Sequence, residues 1–114
     1  MKNYRLVFRE VDRDKFDEIA EDRKTIETRA ATIKYRPITA GDTLIFVCGS
    51  DSTKKQVAKV EHFDSLEQMF SHLPLSNILP TAKDTDDAKA IYYSFPGYKD
   101  KIEAEGILAF TLSS

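Results

Sequence analysis

Arg23-Lys24-Thr25-Ile26-Glu27-Thr28-Arg29-Ala30-Ala31-Thr32-Ile33-Lys34-Tyr35-Arg36 is the stretch whose reading decides the fold. Its first half, Thr25 to Arg29, is rich in β-branched residues and reads as a short strand. Alternation places Ile26 and Thr28 on one face, with Thr25, Glu27 and Arg29 on the other. From Ala30 to Ala40 the chain reads as a loop whose exit Pro37 fixes. Five of the fourteen side chains are basic and one is acidic, in a chain of net charge -2. Lys24, Glu27 and Arg29 therefore stand beside a core strand, where a solvated surface has no need of all three. This stretch is the expected functional centre.

Upstream, Tyr4, Leu6 and Phe8 alternate with Arg5, Val7 and Arg9, the period-two pattern of a strand with one buried face. Asp12 is the expected cap of a helix over residues 13–21, with Phe16, Ile19 and Ala20 as its buried stripe. Arg23 and Lys24 come where that helix ends, and the helix dipole alone favours cations there.

Downstream, the turn at Gly41-Asp42 leads into Thr43-Leu44-Ile45-Phe46-Val47-Cys48, a nearly continuous apolar strand. Residues 49–53 read as a hairpin-like connection into an antiparallel strand over residues 55–63. Asp64 or Ser65 caps a second helix with Leu66, Met69, Phe70 and Leu73 at helical spacing. Residues 74–83 form an irregular crossing. Asp84 or Thr85 then opens a third helix, with Ala88, Ile91, Tyr92 and Phe95 inward, and Pro96-Gly97 ends it. Residues 106–112 make the closing strand. This order predicts an α+β domain over residues 1–114, with five to six short strands closing as a small β-barrel flanked by about three short helices.

The bulk numbers agree. One hundred and fourteen residues, 41% hydrophobic and 32% charged, suit one globular core. No run reaches the roughly 18 apolar residues of a membrane span, and residues 1–9 lack the apolar region of a signal peptide. A cytoplasmic protein with no membrane partner is expected. Cys48 is the single cysteine, which excludes an internal disulfide. Residues 1–36 hold ten basic and eight acidic side chains, and residues 37–114 hold seven and eleven. A local positive patch on an acidic chain suggests a small anionic ligand or a few phosphates, more than a long duplex.

At this point the sequence resembles ASCH domains, members of the PUA-like β-barrel superfamily. The resemblance rests on Arg23 to Arg29 after a helix, Gly41-Asp42 before an apolar strand, Val60-Glu61-His62-Phe63 with Ser65, Tyr92-Tyr93-Ser94, and Gly106 before the last strand. Family members often carry Gly before the basic pair, where this chain has Asp22. Gly eases a left-handed helix exit, and Asp tolerates it at some cost. The resemblance implies a cleft between barrel and helices that binds RNA or a nucleotide. Some relatives are amidohydrolases of acylated cytidine, and others metal-dependent ribonucleases. The amidohydrolase branch has Lys at the position of Lys24 and Thr at that of Glu27, and residues 74–83 hold no glutamate to match its catalytic one.

Each candidate residue has a bland reading beside its functional one. Lys24 is a phosphate contact, a base if burial lowers its pKa, or a helix-end cation. Glu27 orients the cations, acts as a general base or reads a base edge, or is a salt-bridge partner of Arg29. Arg29 has the planar fork that holds a phosphate or carboxylate. Arg23 adds charge at the same junction. Lys34-Tyr35-Arg36 is able to stack a base and neutralise its phosphate, or is a solvated loop. Tyr93 and Ser94 lie off the apolar stripe of the third helix and are candidates for the cleft.

Other chemistry is poorly supported. His62 and His72 have no further ligand at metal spacing, Cys48 lies inside an apolar strand, and no Gly-rich phosphate loop is present. No metal or cofactor is expected. The expectation is a domain that binds RNA or a nucleotide, the alternative a small hydrolase of modified nucleosides (N4-acetylcytidine) or a ribonuclease using Lys24 and Glu27.

Overall fold

A computed structural model describes residues 1–113. The alternation at the start of the chain forms β1 (Asn3–Phe8), with Leu6 buried and Arg5 and Val7 outside. A 3₁₀ turn over Glu10–Asp12 leads into α1 (Arg13–Ala20). The carboxylate of Asp12 accepts from Arg9 Nε at 2.8 Å and makes no cap bond to the helix. Ala20 is exposed, while Glu18 is buried with Phe16 and Ile19. The expected stripe shifts because the chain folds back at the helix end, and the N–H groups of Arg23 and Lys24 both donate to Glu18 O at 2.9 Å.

The strand at the decisive stretch is β2 (Ile26–Ala30), followed by β3 (Thr43–Cys48), β4 (Asp51–Phe63) and β5 (Ile107–Ser113). They form one mixed sheet in the order β1-β3-β4-β5-β2, parallel between β1 and β3 and antiparallel elsewhere. The hairpin is tighter than expected: Cys48 pairs with Asp51 across Gly49-Ser50. Gly49 supplies the positive φ of 59° that this reversal requires. The sheet curls into a half-barrel, because Phe8 at the end of one edge strand meets Arg29 of the other, guanidinium to ring centroid 5.0 Å.

Alternation in β5 divides the core. Ile107 and Ala109 pack with Ile26, Ala30 and residues of the later helices; Leu108 and Phe110 pack with Leu6, Phe16, Ile19 and Phe46. Burial on both faces explains why the strand reads as a continuous apolar run.

Five helices lie among the described residues where three are expected: α1, α2 (Leu66–His72), α3 (Leu75–Ile78), α4 (Thr85–Ser94) and α5 (Tyr98–Glu105). Pro74 stands at the N-cap of the single turn α3. Pro96-Gly97 separates two helices, with Gly97 at φ 73° reversing the chain into α5. Only Ile102 of α5 is buried, so no apolar stripe announces that helix. No helix among the described residues is long and apolar enough to cross a membrane.

Candidate functional site

The site begins with a strained helix exit. Asp22 adopts φ 61°, and its carboxylate pairs with the buried Lys55 ammonium of β4. The left-handed residue turns Lys24 inward. Its side chain is 3% exposed, and Nζ donates to the carbonyl of Ile78 at the end of α3, one of the carbonyls a helix leaves unbonded.

Glu27 follows on β2, equally buried. Its Oε1 lies 3.5 Å from Lys24 Nζ and accepts the Thr28 backbone N–H at 2.9 Å. Its Oε2 accepts from Arg29 Nε at 3.3 Å and Nη2 at 3.2 Å. One carboxylate thus joins two cations. The Thr28 N–H is available because β2 is an edge strand. The Thr25 carbonyl accepts from Leu112 N–H and the Ala31 N–H donates to Gly106 O, which fixes the odd-numbered residues toward β5, so Thr28 faces the open edge.

Arg29 is held by more than charge. Its guanidinium lies 5.0 Å from the Phe8 centroid and 5.6 Å from that of Tyr35. On the other face of β2, the Thr28 hydroxyl is hydrogen-bonded to the Tyr92 hydroxyl of α4.

Burial and charge set the protonation of these groups. Desolvation pushes the Lys24 ammonium below the usual lysine value, against the pull of Glu27 and Glu18. Burial also opposes the charge on Arg29, yet Glu27 keeps that pKa above the ordinary arginine value. The Glu18 carboxyl is raised by burial and partly drawn back by Lys24. Tyr92 and Tyr98 are pushed up by burial and stay neutral hydroxyls.

Lys24, Glu27, Arg29, Tyr92 and Tyr98 line a pocket of about 210 Å³ between α1, the two sheet edges and the α4–α5 reversal. It is layered by depth. Lys24, Glu27, Thr28, Leu79 and Tyr92 are buried at its base; Phe8, Asp12, Lys15, Arg29, Phe95 and Tyr98 are half-buried; Val7, Arg9 and Pro96 are exposed. Four cations, Arg9, Lys15, Lys24 and Arg29, face two carboxylates, Asp12 and Glu27.

Of the residues singled out from the sequence, Lys24, Glu27 and Arg29 share this pocket, with Tyr35 half-buried against Arg29. Arg23 lies outside its lining and pairs with Glu21 at 2.8 Å. Lys34 is exposed, 5.4 Å from the Tyr35 centroid. Arg36 bridges Ala31 O and Glu105, each at 2.6 Å, tying the loop to α5. Tyr93 lies between Lys89 and Lys99, and Ser94 is exposed with its hydroxyl donating to Ile91 O. On α4 Tyr92 points inward, with Phe95 following at the C-cap, and Tyr93 is turned about 100° away.

Phe8, Lys15, Phe95 and Tyr98 are pocket residues that sequence reasoning missed. Only the last two carried a signal, an aromatic on each side of Pro96-Gly97.

No protein-family model matches the chain, and no curated protein does. Among solved structures it is similar to the crystal structure of hypothetical protein PH0355, with TM-score 0.84 and 24% identity over 99% of this chain and 98% of that one. It is also similar to the solution NMR structure of protein PF0455 from Pyrococcus furiosus, with TM-score 0.76 and 25% identity over 97% and 96%. These likenesses show the fold along nearly its whole length.

Proposed function

We propose that the chain is an ASCH-type, PUA-like domain whose pocket binds a nucleotide, free or at an exposed position of an RNA strand. The observation that carries this reading is the layering of the pocket. Buried hydrogen-bonding groups suit a base edge, half-buried aromatic rings suit a base face, and exposed Arg9 with half-buried Lys15 suits a phosphate. A surplus of cations in a chain of net charge -2 selects an anionic ligand. Depth favours insertion of a single nucleotide over contact along a strand, since Lys24 and Glu27 are almost fully covered. Calorimetric titration with the four ribonucleoside monophosphates tests this. Binding of at least one, lost in Arg29→Ala, is the expected result, and no binding by any of them overturns it.

A second reading, hydrolysis of an acylated nucleoside, is favoured by one observation: burial lowers the pKa of Lys24 inside a pocket. A neutral amine there would serve as base or nucleophile. Glu27 and Glu18 act against it by stabilising the ammonium, and Glu27 binds both Thr28 and Arg29, which suits it to positioning. Weak or absent turnover of N4-acetylcytidine between pH 6 and 10 is expected. Turnover that disappears in Lys24→Ala, with a controlling pKa near 7, would establish the enzyme instead.

A further inference from the structure

We infer that the free edge of β1 takes up a partner peptide as an added strand, and that the peptide it fits is acidic. The Thr43 N–H donates to Lys2 O, which turns the backbone groups of Lys2, Tyr4, Leu6 and Phe8 toward β3. Those of Asn3, Arg5 and Val7 therefore point outward. They have no backbone hydrogen-bond partner among the described residues.

The two edges of the sheet differ. The β2 edge is covered: Ile26, Glu27, Thr28 and Ala30 are buried, and the outward Thr28 N–H is taken by Glu27. Just before it, the Thr25 N–H donates to Asn77 O of α3. The β1 edge has none of the devices that usually blunt an edge strand. Its six pairs with β3 run without a bulge, it contains no proline, and its inward side chains, Tyr4, Leu6 and Phe8, are uncharged. Val7 is 59% exposed, and Val11, on the turn beyond, is 76% exposed. Val7 also borders the pocket, so an added strand runs along one rim of it.

Charge selects the occupant. Arg5, Ile45 and Lys54 lie side by side across β1, β3 and β4. Lys2, Arg5 and Lys54 are exposed and have no ion-pair partner among the described residues. The neighbouring carboxylates are engaged: Glu10 and Asp51 by Arg13, Asp12 by Arg9, and Asp42 by the N–H groups of Lys2 and Thr39. A second copy of this edge would bring cation against cation, whereas a carboxylate opposite Arg5 gains a cross-strand pair. An extended peptide with acidic side chains on one face meets Arg5. Apolar side chains on its other face meet the half-buried Tyr4 and Phe8.

The probe is a capped, fluorescein-labelled octapeptide of alternating valine and glutamate, read by fluorescence anisotropy against the native chain at low salt. Its counterpart with lysine in place of glutamate is expected to bind at least about fivefold more weakly, and Arg5→Glu to erase that difference. Val7→Pro removes one outward N–H and leaves the ladder to β3 whole. About fivefold weaker binding is expected from it, the worth of one backbone hydrogen bond. Hydrogen exchange in the native chain needs no variant: the glutamate peptide is expected to slow exchange at the amides of Arg5 and Val7. Failure of that peptide to bind, equal binding of the lysine peptide, or slowing that spares these two amides overturns the proposal. A dimer seen by sedimentation and dissolved by Val7→Pro also overturns it, by assigning the edge to a second copy.

Discussion

Lys24 Nζ lies 3.5 Å from Glu27 Oε1, and neither side chain is more than 4% exposed. An ion pair so deeply buried depends on both members. Its desolvation cost is offset only while the partner and the surrounding hydrogen bonds remain.

Removing the carboxylate should therefore hurt more than removing the amine. Glu27→Ala leaves the Lys24 and Arg29 cations without their shared partner and is expected to destabilise the fold by about 3–5 kcal/mol. Lys24→Met keeps the Glu27–Arg29 contacts and fills the same space, so its cost should be smaller. Urea denaturation at pH 7 measures both. Equal losses would mean that Glu27 does not hold the two cations together.

Dependence on pH follows from the same groups. Between the depressed folded pKa of Lys24 and the ordinary 10.5, the unfolded chain holds a proton that the folded chain has released, so this group makes stability rise with pH. Glu18 works in the opposite sense. Its carboxyl is raised from 4.5, so in the window just above 4.5 the folded chain holds the extra proton and stability falls as pH rises. Urea midpoints between pH 4 and 11 should show the alkaline rise reduced in Lys24→Met, and the acid-side fall reduced in Glu18→Gln. An alkaline limb unchanged by Lys24→Met would contradict a buried, desolvated ammonium.

The helix exit offers a separate test. Asp22 holds φ 61° and pairs with Lys55, so it serves both the backbone and charge. Both Asp22→Gly and Asp22→Ala remove the carboxylate, but only Gly accepts the left-handed conformation freely. Ala should be less stable than Gly by about 1–2 kcal/mol. Thermal melts of the pair measure the difference, and equal melting temperatures would mean that the backbone strain is negligible.

These residues also mark how far the sequence could be read. Alternation exposed β1, β-branched composition exposed β2, and the apolar runs exposed β3 and β5, because strand signals are visible in a few residues. The left-handed exit at Asp22 was an expectation of the family resemblance alone, since nothing local in the sequence marks it. Helix α5 was not legible, since a helix burying only Ile102 leaves no periodic trace. Lys24, Glu27 and Arg29 betrayed themselves as charges flanking a core strand. Phe8, Lys15 and Tyr98 reach the pocket only through the curl of the sheet and the α4–α5 reversal, relationships between distant segments that no local pattern encodes.

The most direct test of nucleotide binding at this pocket is a titration of ¹⁵N-labelled protein with the four ribonucleoside monophosphates, followed by two-dimensional NMR. Shifts centred on the amides of Lys24, Thr28, Arg29, Phe95 and Tyr98, which line the pocket, are expected. Shifts confined to the exposed Lys34–Arg36 loop or to the Lys89–Tyr93–Lys99 surface, with the pocket amides unmoved, would contradict it.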